Sequence, residues 1–559
     1  VDHEYFSRLV RGARAEAMAL IDGLAGGIPA GLPHRETMRA VKALILADAT
    51  AAPGTPASAG GRPAVDALLA HLAGLQGPTG LFDGDNLVSP PDSAFTINDV
   101  CLVLEVLDRV GADTRWTGAV ERLRTIAARS VDALVTGGVH TPNHRWELAS
   151  ALAGLHHVTG DDRLVPRIDE WLAEGIDVDA DGFYSERSAI YSAVVTNPSL
   201  VTLARLLARP ELLDPVRANL RTLPSLVDDD GEVVTVHSRR QDQRETFHVH
   251  AYLSQLRRFA VTDGDGQLAR LAMLGAASGP PEPSRHLAEA LVDPVLTELL
   301  PAPVPAREGG TFWPTVGLLR RRAGVTTTTV FGGADTRATG RVASGLANSA
   351  TVLQVRHGAA RLCALRISPQ FFATGAFRPT VMDVADDRVR LTEERVSGYY
   401  QPLPSDHRRS DGAYPLTDEG RFFARMDFPA RMLSPLRLTT CLQVTLTDDG
   451  AVLELRFTGP RTRVAVELVF GGGTLTGAVP HPSLAGTQWL RGPSVLLRTG
   501  SQAIEVQVDG HDEELAPSFD DGEFFAYVHG EDRVPGQRVL LAAWSDRPVR
   551  LLVRAQDGA

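Results

Sequence analysis

Three polar clusters interrupt an otherwise apolar helical pattern in the first half of the chain. Thr141-Pro142-Asn143-His144-Arg145-Trp146-Glu147 opens a helix that continues as LASALAGL. Capping accounts for Thr141 or Asn143, with Pro142 in the first turn, but does not call for His144, Arg145 and Trp146 to follow. Together they offer an amide, an imidazole, a guanidinium and a flat stacking surface at the positive end of a helix, a setting suited to an anionic sugar. The second cluster runs from Asp179 to Tyr191 as DADGFYSERSAIY. Core packing behind an acidic turn would explain its tyrosines. Against that, Tyr184, Ser188 and Tyr191 lie at i, i+4 and i+7, so a helix there would give them one unusually polar face, beside Glu186 and Arg187. The third cluster, Val236 to Arg244, carries His237, Arg239 and Arg240 after the acidic turn DDDGE, where a solvated loop is the simpler explanation. A long loop from Gln76 to Phe95 adds Asn86, Asp92 and Ser93; loops of that length in compact domains are often functional.

Other chemistries lose their usual signals. The chain has no P-loop, dinucleotide glycine fingerprint, G-x-S-x-G elbow or H-E-x-x-H. His248 and His250 stand two apart in TFHVHAYLSQL, which reads as a helix on which such a pair does not share a face, so no metal is expected there. His156 and His157 read as charge partners of a helix C-terminus. Three cysteines, Cys101, Cys363 and Cys441, are too few and too scattered for a disulfide framework or a metal cage. No cofactor is implied.

These residues need a frame to hold them, and the frame changes character along the chain. From the start to about residue 300, segments such as INDVCLVLEVLDRVG, VERLRTIAARSVDALV and NPSLVTLARLLA repeat apolar residues at helical spacing. Short breaker turns join them, and no fixed-period repeat stands out. Helix pairs closing into a barrel or toroid fit this better than a solenoid. The Pro-rich stretch over 301–311 reads as a linker. Beyond it the period falls to about 2, in TTTTVFGG, RLCALRIS, AVLELRFTG and AIEVQVDG among others, which predicts an antiparallel β-sandwich over 312–480 and a smaller β-sheet region over 481–559. Helices first and strands afterwards mean separate domains. The 559 residues and 43% hydrophobic content are ample for them, and no apolar run approaches a membrane span. A net charge of −12 excludes the basic footprint of a nucleic-acid binder. No signal peptide is visible; a trimmed leader leaves secreted and cytoplasmic locations both open. Oligomeric state is not legible.

This order of domains, with Asn143-His144 at a helix start and E-R-S-x-x-Y from Glu186 to Tyr191 some 45 residues later, resembles the heparinase II/III-like and alginate-lyase-like polysaccharide lyases. The resemblance covers most of the chain in architecture, while its specific motifs are these two alone. It implies an (α/α) toroid followed by an antiparallel β-sandwich, an acidic polysaccharide or oligosaccharide as substrate, and β-elimination at a uronic acid. It further implies that Asn143 or His144 meets the uronate carboxylate or serves as base, and that Tyr191 is the proton donor, or both base and acid. Removing the C5 proton builds charge on the carboxylate, which a donor must stabilise where it develops. A tyrosine base must reach phenolate, at a cost of about 4 kcal/mol from its ordinary pKa of about 10 to pH 7, so Arg187, Arg145 or Arg240 would have to offset it, or neutral His144 or His237 takes the proton instead. The histidine that many relatives carry on an early sandwich strand has no counterpart in GRVASGLANSATVLQV, which offers Asn348; His237 is the candidate replacement. His357 and His407 have no recognisable zinc ligand set around them. Trp146, Tyr184, Glu186, Arg239, Asn86, Asp92 and Tyr400, with Tyr399 beside it, complete the candidate binding residues. An (α/α)-barrel glycoside hydrolase, with carboxylates about 5 to 9.5 Å apart among Asp92, Asp181 and Glu186, is the first alternative. A non-catalytic carbohydrate-binding protein is the second.

Overall fold

A computed structural model describes residues 1–50, 61–84, 87–111, 116–333, 349–419, 423–521 and 534–557. Asn86 and Asn348 lie outside them. The chain divides into two compact units, Val1–Val233 with Phe247–Ala306, and Val234–Thr246 with Arg307–Ala559.

The first unit is helical. Helices α1 (His3–Gly23), α2 (His34–Ala49), α3 (Gly61–Leu75), α4 (Pro90–Arg109), α5 (Thr117–Thr136) and α6 (His144–Thr159) follow the predicted periodicity. Helix α1 packs on the last long helix, Pro283–Val292, which closes the ring. An inner ring is formed by α2, α4, α6, Asn197–Leu206, Leu253–Asp263 and Pro283–Val292, all of which line one axial cavity of about 460 Å³. The expected helix through His248 and His250 is a correction: Phe247–His248 is a short strand, Val249–Tyr252 a 3-10 turn, and the helix begins at Leu253. The two imidazoles stack at 4.6 Å. No helix among the described residues is long and apolar enough to cross a membrane.

The second unit is a sandwich of a nine-stranded and an eight-stranded sheet, whose facing residues, such as Val330, Leu365 and Val466 against Leu391, Leu442 and Leu551, form one apolar core. Alternation puts them there, because successive strand residues face opposite sides. Pairing is antiparallel except where Thr487–Trp489 runs parallel to Gln537–Trp544. Among the described residues, no separate sheet follows residue 480. Gln537–Trp544 lies inside the nine-stranded sheet beside Arg463–Phe470, and Val549–Asp557 lies inside the eight-stranded sheet between Gly450–Thr458 and Gln502–Asp509. The last strands must insert there because their apolar faces complete the common core.

An ion pair is buried among the described residues of this unit. Arg366 and Glu467 are both 1% exposed, with Arg366 Nε donating to Glu467 Oε2 at 2.5 Å, while Arg538 donates to the other carboxylate oxygen. Removing one partner strands a buried charge, so Glu467→Ala should lose about 3–5 kcal/mol. Urea unfolding followed by the sandwich signal checks this; an unchanged midpoint would mean the pair contributes nothing.

Candidate active site

The first turn of α6 and the segment from Asp177 to Tyr191 are tied together by side chains. Asn143 sits at the N-cap position of α6, yet its side chain makes no capping bond. Its Nδ2 instead donates to Glu186 Oε2 at 2.5 Å, across 43 residues of sequence, and both side chains are buried. That bond fixes which end of the amide is nitrogen. Asn143 Oδ1 is then left buried without a hydrogen-bond partner among the described residues, which costs about 1–3 kcal/mol in a folded protein. The second Nδ2–H is a donor that an ionised carboxylate can accept, whereas Oδ1 can only take a hydrogen bond from a donor such as a hydroxyl.

The backbone around Glu186 is shaped by turns rather than by a helix. Asp179 accepts from the backbone N–H groups of Asp181 and Phe183, and Arg187 adopts a left-handed φ of 51°. Ser188 is extended and caps a single turn, Ala189–Tyr191, which runs into the π-turn Ser192–Thr196. The expected shared helical face of Tyr184, Ser188 and Tyr191 is therefore corrected. Tyr184 is buried, and its hydroxyl donates to Asn197 Oδ1 at 2.8 Å, a core role. Tyr191 ends the single turn half-buried, its backbone N–H held by Ser188 Oγ at 3.2 Å. The π-turn behind it packs on α6, which brings the Tyr191 segment to the helix that carries Asn143. π-turns inside helices frequently mark functional sites.

Two further residues of the first cluster are structural. Arg145 pairs with Glu174 at 2.9 Å and Asp177 at 3.0 Å, and Ser185 also donates to Asp177, so this guanidinium ties the two segments together and is not held out for an anion. Trp146 is fully buried beneath Arg145, whose guanidinium lies 4.6 Å from the ring, and offers no stacking surface. His144 is buried with its ring set edge-on to Phe95 (6.1 Å) and His140 (4.8 Å). Phe95 in turn lies under the Arg35 guanidinium at 3.9 Å, and Arg35 forms an ion pair with the buried carboxylate of Asp92. Asp92 is thus committed to a cation. Arg187 is largely buried, which holds its pKa below the ordinary guanidinium value, against the opposing pull of Asp179.

The third cluster belongs to the second unit, which corrects its assignment to the helical first half of the chain. It is also not a solvated loop. His237 is 3% exposed, Ser238 and Asp242 are fully buried and bonded to each other, Arg240 is buried, and Arg239 is half-buried. Tyr400, also in the second unit, packs its ring on Phe428 at 4.9 Å and donates to Glu419 at 3.4 Å.

Arg35 and His140 are not singled out from sequence. Phe95 ends the expected long loop and Glu147 closes the first polar cluster without a role assigned to either, and only their arrangement around His144 and the axial cavity distinguishes them. Glu147, one turn below Asn143, lines that cavity among ion pairs such as Lys42–Asp99 (2.6 Å) but accepts only from neutral groups, Asn98 Nδ2 at 2.7 Å and Ser199 Oγ at 3.2 Å. Burial outweighs these bonds and raises its pKa to about 7. The folded state therefore holds a proton that the unfolded chain, with a value near 4.5, has released. The stability linked to that proton is fully present below pH about 4.5 and is lost as pH rises through about 7. Glu147→Gln should leave the melting temperature nearly unchanged at pH 5 and raise it at pH 8; an equal shift at both would remove the titration from the account.

His357 is held by Thr326 at 2.9 Å and Asp557 at 3.0 Å, and no cluster of three metal-ligating side chains occurs among the described residues.

No protein-family profile matches the chain, and no curated protein matches it by sequence. Solved structures do. Heparinase III superposes over 94% of this chain and 77% of its own, with a TM-score of 0.57 at 10% identity. The Streptomyces coelicolor chondroitin AC lyase, solved with chondroitin sulphate, covers 100% and 78% with a TM-score of 0.51 at 14% identity. A Paenibacillus xanthan lyase covers 100% of this chain and 56% of its own, with a TM-score of 0.51 at 10% identity. The chain has the fold of these polysaccharide lyases, a helical toroid followed by an antiparallel β-sandwich.

Proposed function

We propose that the chain is a lyase that cleaves a uronic-acid-containing polysaccharide or oligosaccharide by β-elimination, leaving an unsaturated uronate end. The fold likeness to heparinase III and chondroitin AC lyase supports the class. The observation that carries the chemistry is the Asn143–Glu186 bond, which takes the amide away from its cap and leaves its second N–H as a donor for the uronate carboxylate. Elimination breaks the C5–H and C4–O4 bonds and forms the C4–C5 double bond, and negative charge collects on the uronate carboxylate as the proton leaves. Asn143 meets that charge in a buried setting, where a donor is worth more than in water.

Tyr191 is the proton-transfer group in this reading. It is half-buried, at the end of a one-turn helix, while His144 is enclosed by the rings of Phe95 and His140 and serves to position the start of α6. Arg187, in the segment that carries Tyr191, is the cation this reading assigns to the same step. Tyr191 then takes the C5 proton and returns a proton to the O4 leaving group on the same side. Within the second unit, Arg239, Arg240 and Tyr400 are the candidate groups for glycan contact, and His237 is the candidate counterpart of the histidine that the resemblance implies.

A hydrolase reading rests on one observation, the Glu147 carboxyl with a pKa raised to about 7 beside the axial cavity, as a general acid requires. Ultraviolet absorbance of uronate glycans incubated with the protein separates the two. Rising absorbance from the conjugated product establishes the lyase; new reducing ends without absorbance establish the hydrolase.

A further inference from the structure

The long strands Arg388–Tyr400 and Leu433–Thr447 pair over their whole shared length, and their far end runs beyond the apolar core of the sandwich. Core-facing alternation holds at Val389, Leu391 and Glu393 and then reaches Arg395, Ser397 and Tyr399 on the same side. Buried residues give way to exposed ones along it, and Tyr399 is 66% exposed. Gly398 is required just before it, because a Cβ there would stand 2.0 Å from the Ser434 carbonyl oxygen of the partner strand.

The loop facing Tyr399 is held in an unfavourable shape. Phe372 and Ala373 are consecutive non-glycine residues at φ 51°, a conformation disfavoured for L side chains. Arg395, balanced by Glu393, keeps the loop in place by donating to Thr374 Oγ1 at 3.0 Å and to the carbonyls of Gly375 (2.6 Å) and Ala376. The outcome is that the Phe372 ring stands against the exposed Tyr399 ring, with centroids 5.4 Å apart. Strain of this sort persists where the surrounding structure over-determines it, commonly at ligand clamps.

Polar groups continue the same face. Ser434 lies opposite Tyr399 in the ladder, and Gln401 Nε2 donates to Ser434 Oγ at 2.7 Å on this face, leaving the amide oxygen and second N–H of Gln401 and the hydroxyl hydrogen of Ser434 for a ligand. Two aromatic rings beside an amide and a hydroxyl match a pyranose, whose C–H face is apolar and whose rim carries hydroxyls. The rings offer roughly 150–250 Å² each, short of the about 800 Å² per partner that a specific protein interface covers.

We infer that Tyr399, Phe372, Gln401 and Ser434 form a sugar-binding platform on the sandwich unit, which takes one pyranose ring of a glycan by stacking on Tyr399. The choice of a glycan as ligand rests on the function proposed above. The platform acts on binding and not on the chemical step.

The test is calorimetric titration of the full chain in a Tyr191→Phe background with three probes: chondroitin sulphate hexasaccharide, heparan sulfate hexasaccharide and neutral cellohexaose. Tyr399→Ala should weaken at least one probe about tenfold, Gln401→Ala should weaken it less, and Val396→Ala, exposed on the opposite face, should leave it unchanged. Equal affinity in the parent and Tyr399→Ala proteins overturns the platform, as does the absence of binding by all three probes. Loss of cellohexaose binding in Tyr399→Ala, with no uronate glycan bound and none cleaved by the protein with Tyr191 intact, keeps the platform and overturns the uronate reading instead. Loss of a dimer in Tyr399→Ala with unchanged glycan affinity marks the face as a contact between copies and also overturns it.

Discussion

Tyr191→Phe is expected to lower kcat by about a thousandfold, within the range that a positioned proton-transfer group contributes, while KM changes little. Phenylalanine keeps the ring and its packing and removes only the hydroxyl, so the folded state should be nearly unaffected. The backbone N–H of Tyr191 is held by Ser188 Oγ, a contact that phenylalanine keeps. A variant that retains the parent kcat would remove Tyr191 from the mechanism and leave the fold likeness without a reacting group.

Asn143→Ala is the second large effect. Removing a donor aimed at developing charge lowers kcat by about 10²–10³ in comparable settings, and an interaction strengthened only in the transition state lowers kcat and kcat/KM together. Glu186→Ala should produce part of the same loss, because Glu186 orients the amide that Asn143 presents. The double variant then loses little more than Asn143→Ala alone, a non-additivity expected of residues acting as one unit. Additive losses would show that Glu186 acts on substrate independently. Stability gives a second readout. Asn143 does not cap α6, so its loss should not fray the helix start, whereas the buried Glu186 carboxylate loses its amide donor and the protein should melt somewhat earlier.

Much of the fold was legible because periodicity reports which faces are buried. INDVCLVLEVLDR falls within α4 and AVLELRFT within Gly450–Thr458, since each segment's apolar spacing matches one element. The misreadings share a cause. Periodicity assumes an unbroken element, and the positive φ of Gly182 and Arg187 with the extended Ser188 broke the segment that would have placed Tyr184 beside Tyr191. A local pattern also carries no information about which compact unit a loop joins. Val234–Thr246 leaves the chain between two strands that pair within the helical unit, Glu232–Val233 and Phe247–His248, yet it groups with the sandwich. Arg145 and Trp146 fit an anion site by type, but type does not reveal that Glu174 and Asp177 already occupy the guanidinium or that the indole is buried. The two motifs that carried the resemblance do meet, and the contact that joins them, Asn143 to Glu186, could not be read from spacing because a helix cap explained the asparagine equally well.

The most direct test of elimination is to digest a uronate glycan in heavy-oxygen water and weigh the products. Elimination breaks the C4–O4 bond without adding water, so every new reducing end keeps its original oxygen and every new non-reducing end is lighter by one water. Hydrolysis adds water across the glycosidic bond and leaves one heavy oxygen in the products. Unlabelled, dehydrated product ends are the predicted result. Incorporation of heavy oxygen at each cleavage would contradict the account.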